Sequence, residues 1–321
     1  MSEALFSLES VNKHFPITGG IWERQIAAVH AVDGVSFDIY DGEALGLVGE
    51  SGCGKTTLGR CIVRLLELTS GKILYKGQNI DELEDTDLRE FRRQTGVIFQ
   101  DPFLSLNPRM TIGEIVGEPY LIHGVATGRE KDSRVVEWLA TVGLNPLHIY
   151  RYPHQFSGGQ KQRIGIARAM ALNPRFVVAD EPVAALDISV RASIINLMKD
   201  LQKKFHVTYL FISHDLAVVR QICNRVIVMY LGKVVESADV AELFDNPVHP
   251  YAQALLSAVP IPDPEVRKDR IILKGDVPTP IRPPSGCRFH PRCSKARPIC
   301  SKEEPVMRMV GKDHMVACHP V

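Results

Sequence analysis

The sequence predicts an α/β fold with a mostly parallel core sheet, an N-terminal antiparallel β subdomain, an inserted helical subdomain and a small irregular, cysteine-bearing C-terminal appendage. Three observations predict it. Short apolar runs alternate with stretches of helical spacing, the pattern of a parallel sheet covered on both faces. A glycine-rich stretch, "GESGCGKT", stands where one such run gives way to a helical pattern. After Pro260 the chain turns proline-rich and gathers four of its seven cysteines, which marks a boundary to a different kind of structure.

In chain order, residues 5–15 and 29–39 alternate apolar and polar side chains and read as β-strands. The stretch "FPITGGIWERQ" between them reads as a loop or hairpin insertion. "EALGLVG" is a short, nearly continuous apolar run of the kind buried parallel strands show, and a helix is expected to follow from about Lys55 to Glu67. From about 101 to 165 the segments "TIGEIV" and "SRVVEWLATVGL" have helical spacing and few β-branched runs, which predicts an inserted helical lobe. "RFVVAD", "VTYLFIS" and "RVIVMY" are three further buried strands with helices between them.

Composition narrows the function classes. The chain has 321 residues, enough for about two domains. Its 45% apolar and 23% charged residues are those of an ordinary soluble globular protein. A net charge of +1 gives no overall field to draw in a polyanion. No apolar run reaches the roughly 18 to 20 residues that span a bilayer, and "MSEALFSLES" lacks the basic start and apolar stretch of a signal peptide. A cytosolic chain is expected, where structural disulfides are disfavoured.

Gly49, Glu50, Ser51, Gly52, Cys53, Gly54, Lys55 and Thr56, followed by Thr57, fit the phosphate-loop pattern G-x-x-x-x-G-K-[ST] between a predicted strand and helix. Glycines let backbone N–H groups curl around phosphate oxygens, and the helix that follows turns its positive dipole end to the same anion. Lys55 supplies a point charge to the terminal phosphates, and Thr56 a hydroxyl to magnesium. In "FVVADEP", Asp180 ends a strand at the carboxyl edge of the sheet, where such sheets bind ligands. It is placed to reach magnesium, while Glu181 is placed to orient or activate an attacking water. In "FSGGQKQR", Ser157, Gly158, Gly159 and Gln160 open another helix with a geometry suited to phosphate. One chain does not need two sites for one phosphate, so this second site is read as serving a nucleotide held by another subunit.

These motifs in this order closely resemble the ATP-binding cassette (ABC) ATPases, along the whole chain. The resemblance implies an ABC-type P-loop NTPase fold and an ATPase domain over 1–259, its helical subdomain at about 101–165, with a C-terminal extension over 260–321. It implies that Gln100 in "GVIFQDP" touches magnesium and water, that Asp187 in "AALD" crosses a dimer interface and that His214 in "FISHD" senses the γ-phosphate. It makes Phe15 the candidate to stack on adenine. Singly, these would read as a loop glutamine, a helix N-cap, a satisfied core histidine and a packed phenylalanine. Phe156 and Ala184 replace the family's usual leucine and serine without touching the chemistry.

"DPFLSLNPRMTIGEIVGEP" and "NPVHPYAQALLSAVP" resemble the ATPases of dipeptide/oligopeptide importers and their nickel-carrying relatives, and "FPITGGIWERQ" with "AVHAVDGVSF" resembles the second ATPase such importers carry. That implies a heterodimer with a second, homologous ATPase at the cytoplasmic face of the membrane, two transmembrane permease subunits above it, and an extracytoplasmic substrate-binding protein. Nickel or another solute is the alternative cargo. An ABC ATPase acting on nucleic acid or ribosomes is a second alternative, disfavoured by one cassette, no heptad run and no positive excess; a free redox or metal sensor is a third.

Cys287, Cys293, Cys300 and Cys318 are spaced C-x5-C-x6-C-x17-C. Structural zinc sites carry a tight C-x2–4-C knuckle, absent here, whereas an iron–sulfur cube is a larger body that loosely spaced thiolates can hold. Residues 267–321 hold 12 Lys and Arg against 5 Asp and Glu, positive charge that would offset a negative tetrathiolate centre. The expectation is a [4Fe–4S] cluster, with zinc, or no metal and an opportunistic disulfide, as alternatives. His290, His314 and His319 are nearby candidates to replace a ligand. The importer resemblance supports the cluster, since ATPases of that type carry a similar cysteine set. Cys53, Cys61 and Cys223 read as packing or loop residues.

Overall fold

The computed structural model describes residues 4–19, 24–259 and 270–320. They fall into two compact units: one takes the chain through Glu82 and resumes at Ile212, and the other is Leu83–Phe211.

The first unit opens with two long antiparallel strands, β1 (Ala4–Gly19) and β2 (Arg24–Tyr40), whose pairing runs from Ala4↔Tyr40 to Gly19↔Arg24. The expected insertion is therefore part of a hairpin; its residues 20–23 lie outside the described residues. β3 (Ala44–Val48) is buried at every position, as its unbroken apolar run requires. It leads through the glycine-rich loop into α1 (Lys55–Ile62). This helix ends five residues before the expected Glu67. Arg64 adopts a left-handed φ of 51°, which breaks the helical path, and its guanidinium donates to the carbonyl of Asp81 at 3.2 Å. β4 (Ser70–Tyr75) pairs antiparallel with β1, and β5 (Gln78–Asn79) with β4.

The second unit contains α2 (Asp85–Gln94), β6 (Thr95–Ile98), α3 (Ile112–Ile122), α4 (Gly128–Thr141), α5 (Gly158–Met170), β7 (Phe176–Asp180) and α6 (Ile188–Phe205). β6 and β7 pair parallel from Thr95↔Phe176 to Ile98↔Ala179. α3 starts on a capping box: Thr111 accepts from the Glu114 amide at 3.2 Å and its own amide donates to Glu114 at 2.7 Å. α3 and α4 pack beside α5, giving the helical character expected of this stretch.

β8 (Thr208–Ser213), buried throughout, carries the chain into the first unit again. There follow α7 (Leu216–Ile222), β9 (Arg225–Tyr230), β10 (Lys233–Asp239), α8 (Val240–Asp245), α9 (Pro250–Ser257), β11 (Arg308–Gly311) and β12 (His314–Val316). β9 runs parallel to β3, while β10 pairs antiparallel with β9, β12 with β10 and β11 with β12. The sheet is thus mixed. The C-terminal appendage, irregular around its cysteines, ends in a hairpin that extends the sheet, an element the sequence reading did not anticipate. A buried pair fixes it there: Glu236 on β10 and His314 on β12, 0% and 2% exposed, meet at 2.8 Å. Glu236 also accepts the amides of Val248 and His249, both at 2.8 Å.

Candidate nucleotide and cysteine sites

In the first unit, Gly49–Thr56 joins the end of β3 to the start of α1, so a buried strand aims the loop and the helix N-terminus faces it. Two glycines there are required by contact as well as by φ. A Cβ on Gly49 (φ +151°) would lie 2.2 Å from the Met229 carbonyl oxygen, and one on Gly54 (φ +104°) 2.0 Å from that of Ala31. Lys55, 5% exposed, donates from Nζ to the carbonyls of Gly49 (2.8 Å) and Glu50 (2.9 Å), which folds the loop around its ammonium. The loop is also tied from outside: the Gly232 amide donates to the Cys53 carbonyl at 2.9 Å, and the Glu50 amide to the Tyr251 hydroxyl at 2.7 Å. Burial pushes the Cys53 thiol up, in keeping with a packing role.

Phe15 lies on β1 opposite Val29, 36% exposed, with the Lys13 ammonium 5.1 Å above its ring, so it is not a core side chain. His214 follows the end of β8 and is exposed; the next residue, Asp215, caps α7 by accepting the amides of Ala217 and Val218 at 3.0 and 3.3 Å.

The second unit holds the acidic and signature residues. Asp180, buried, is the last residue of β7. Glu181 follows in a left-handed conformation, φ 46°, unusual for a side chain of this size. The Gln100 amide group donates to the Glu181 carboxylate at 3.1 Å, so two residues 81 positions apart are brought together. Ser157 is the N-cap of α5: its hydroxyl accepts the Gln160 amide at 3.4 Å while the Gln160 side chain accepts the Ser157 amide at 3.0 Å. Phe156 is buried just before it. Gly158 has room for a Cβ, but one on Gly159 would lie 2.5 Å from Val190 of α6, so α5 and α6 approach at that glycine. Asp187 is exposed at the N-cap position of α6, and its side chain makes no cap hydrogen bond.

The four C-terminal cysteines are free thiols, Cys300 and Cys318 buried and Cys287 and Cys293 half-buried. They form one electrostatic group. Burial, then the charges of Cys287, Cys293 and Cys300, push the Cys318 thiol up to about 11. The Cys287 amide donates to the Cys300 carbonyl at 2.8 Å. Among the described residues no three of these sulfurs lie within 4.8 Å of one another, whereas a tetrahedral zinc would hold its sulfurs about 3.8 Å apart. The neighbouring histidines are engaged elsewhere: His314 by Glu236, His319 Nε2 by the Glu303 carbonyl and His290 Nδ1 by the Cys287 carbonyl, each of the last two at 2.9 Å.

Sequence reasoning missed how this segment meets the phosphate loop. Arg288 pairs with Asp33 and the Leu231 carbonyl, and Arg292 forms a two-pronged pair with Glu50 at 2.8 and 3.1 Å. The signal was two arginines between the first two cysteines in "CRFHPRC". Asp33, with His14 and His30, also forms a compact trio of metal-ligand type. With Arg288 on its carboxylate and Lys233 at 4.0 Å, that trio has its negative charge already matched by protein cations.

Comparison with known proteins accords with this geometry. Residues 32–184 match the ABC transporter family and residues 235–300 the oligopeptide/dipeptide transporter C-terminal region. The chain is 54% identical over 320 residues to the oligopeptide transport ATP-binding protein AppF of Bacillus subtilis, covering 99% of this chain and 97% of that one. It is 51% identical over 314 residues to a putative peptide import ATP-binding protein of Brucella ovis, covering 98% and 97%. Among solved structures, the ATP-binding cassette MJ0796, a post-hydrolysis dimer bound to ADP and Pi, superposes with a TM-score of 0.65 at 31% identity over 73% of this chain and 98% of that one. The cassette cbiO1 of Clostridium perfringens gives 0.65 at 26% identity, covering 76% and 92%. The chain belongs to the ATP-hydrolysing subunits of ABC transporters, in their oligopeptide/dipeptide transporter family.

Proposed function

We propose that this chain energises import of di- or oligopeptides across the cytoplasmic membrane, as one half of a two-ATPase motor docked on two permease subunits at the cytoplasmic face. An extracytoplasmic binding protein would deliver the cargo. The observation that carries the motor reading is the phosphate loop, whose glycines are imposed by backbone contacts and whose lysine is buried within it. The peptide cargo rests on the named relatives. Among the described residues no helix is long and apolar enough to cross a membrane, so the translocation path is assigned to partner subunits.

In this reading catalysis is positioning plus electrostatics. Backbone amides of Gly49–Thr56 and the α1 N-terminus hold the phosphates, Lys55 matches their charge, and Phe15 stacks on adenine. Ser157–Gln160 present the α5 N-terminus to the nucleotide of the partner ATPase, and Asp187 lies on the shared interface. Thr56, Gln100 and Asp180 offer hard oxygen donors of the kind magnesium takes, and they would hold it; bound with ATP, the ion neutralises phosphate charge. Glu181, oriented by Gln100, accepts a proton from the attacking water, and His214 contacts the γ-phosphate.

A [4Fe–4S] cluster rather than zinc is supported by the loose spacing of the four cysteines and by the mutual electrostatic influence of their thiols. Cys287, Cys293, Cys300 and Cys318 would hold it, and the cluster would supply a rigid cross-link to an otherwise irregular segment.

The test is Glu181→Gln in the assembled transporter. ATP binding is retained, the ATPase dimer stays closed, and turnover falls by about 10²–10⁴. Uptake of labelled dipeptide into cells carrying the variant falls with it. Wild-type turnover would remove Glu181 from its role; loss of nickel uptake with peptide uptake intact would replace the cargo.

A further inference from the structure

The cysteine segment bears directly on the phosphate loop. Arg292, the residue before Cys293, donates from Nη1 and Nη2 to the two carboxylate oxygens of Glu50 at 2.8 and 3.1 Å. The arginine side chain is 8% exposed and the glutamate 26%, so the pair is largely shielded from water. The other polar groups of Glu50 are held too: its amide donates to Tyr251 and its carbonyl accepts from Lys55. Phe289 anchors the segment between the arginines, its ring 5.2 Å from Tyr230 and 5.4 Å from Tyr251. Arg288 supplies a second attachment on Asp33, whose amide donates to Gly232; the Gly232 amide in turn donates to Cys53 of the loop. The tail therefore holds the loop directly at its second residue and, only through Asp33 and Gly232, at its fifth.

Glu50 places a negative charge inside a loop whose ligand is a polyanion. Unmatched, that carboxylate would repel the phosphates, and a shielded setting weakens the repulsion far less than water would. We propose that Arg292 is a positioning and charge-matching residue for the nucleotide site: the C-terminal cysteine segment acts as a strap that neutralises Glu50 and fixes the phosphate loop, so ATP affinity depends on the tail. This rests on reading Gly49–Thr56 as the ATP phosphate loop.

The test measures ATP affinity of the full-length chain by equilibrium dialysis, with KM and kcat in the assembled transporter. Arg292→Gln weakens ATP binding about tenfold, equivalent to about 1.4 kcal/mol, raises KM by a similar factor and leaves kcat at saturating ATP within about twofold. High salt changes the deficit little, because partly buried charges are screened much less than exposed ones. Adding Glu50→Gln to Arg292→Gln removes the unmatched carboxylate and restores affinity to within about threefold of wild type. A purely structural tail contact would give no such rescue. Unchanged affinity in Arg292→Gln, or a double variant as weak as the single one, overturns the strap. Lys55→Ala keeps the underlying reading separately testable: if it binds ATP like wild type, the phosphate-loop assignment itself fails, whatever Arg292 does.

Discussion

Two glycines of the phosphate loop separate steric from conformational cost. Gly52 and Gly54 both have positive φ, +79° and +104°, but a Cβ on Gly52 would meet nothing within 4 Å, whereas one on Gly54 would lie 2.0 Å from the Ala31 carbonyl oxygen. For Gly52→Ala only the left-handed backbone matters, about 1–2 kcal/mol. For Gly54→Ala the same term applies, and an overlap of more than an ångström with a strand backbone must also be relieved. Overpacking of that kind costs a further 1–3 kcal/mol, on the order of other forced core insertions. The total is about 2–5 kcal/mol, and the relief has to come from β2 or from the loop. Urea unfolding followed by circular dichroism gives both values. ATP adds a second readout: at about a hundredfold excess over Kd it stabilises the native protein by about 2.7 kcal/mol. That gain persists in a loop of wild-type geometry and is lost in Gly54→Ala. Equal destabilisation by the two alanines would refute the claim that contact with Ala31 dictates glycine at position 54.

Two further outcomes follow from buried groups outside the loop. Burial pushes His249 down to about 4, and its Nδ1 accepts the Tyr251 amide at 3.1 Å. The unfolded chain takes up a proton near pH 6.5 that the native state refuses until about 4. Stability is therefore full above pH 6.5 and falls by about 3 kcal/mol as the pH drops to 4, and His249→Gln, compared with wild type by urea unfolding, flattens this slope. For the cysteine site, anaerobically purified protein is expected to be brown, with iron and acid-labile sulfide in equal amounts, and Cys318→Ser to lose both; a colourless chain with one zinc refutes the cubane.

The parts of the fold that sequence made legible are those in which local pattern and burial agree. β3, β7 and β8 are mostly apolar runs and are buried at every position. The helix of "TIGEIV" announces its start by the Thr111–Glu114 box. What escaped depends on long-range pairing or on a single backbone angle. No apolar–polar alternation marks β11, whose Met309 and Val310 are adjacent and which is exposed at all four positions, as a strand; it forms because β12 pairs beside it, and β12 is seated by a histidine buried on Glu236. α1 stops early because of the φ of Arg64, a residue of good helix propensity that gives no stop signal. The contact of Arg292 with Glu50 spans 242 positions, and no periodicity reports on such a distance.

The candidate site residues divide in the same way. Ser157 and Gln160 obey local rules: a serine with glutamine three residues on is an ordinary capping box, and the structure builds one. A helix start so satisfied keeps its first amides aligned, which suits a second role in facing phosphate. Glu181 breaks a local rule. Its left-handed φ costs about 1–2 kcal/mol in a residue with a Cβ, and glycine or asparagine would occupy the turn more cheaply. A carboxylate is held there nonetheless, against Gln100 and directly after buried Asp180, which supports the proposed role of Glu181 in orienting water. Sequence order alone placed the acidic pair at a strand end, as any surface pair could be placed. The structure adds two observations to that placement, the left-handed φ of Glu181 and its contact with Gln100, and both are compatible with the proposed role.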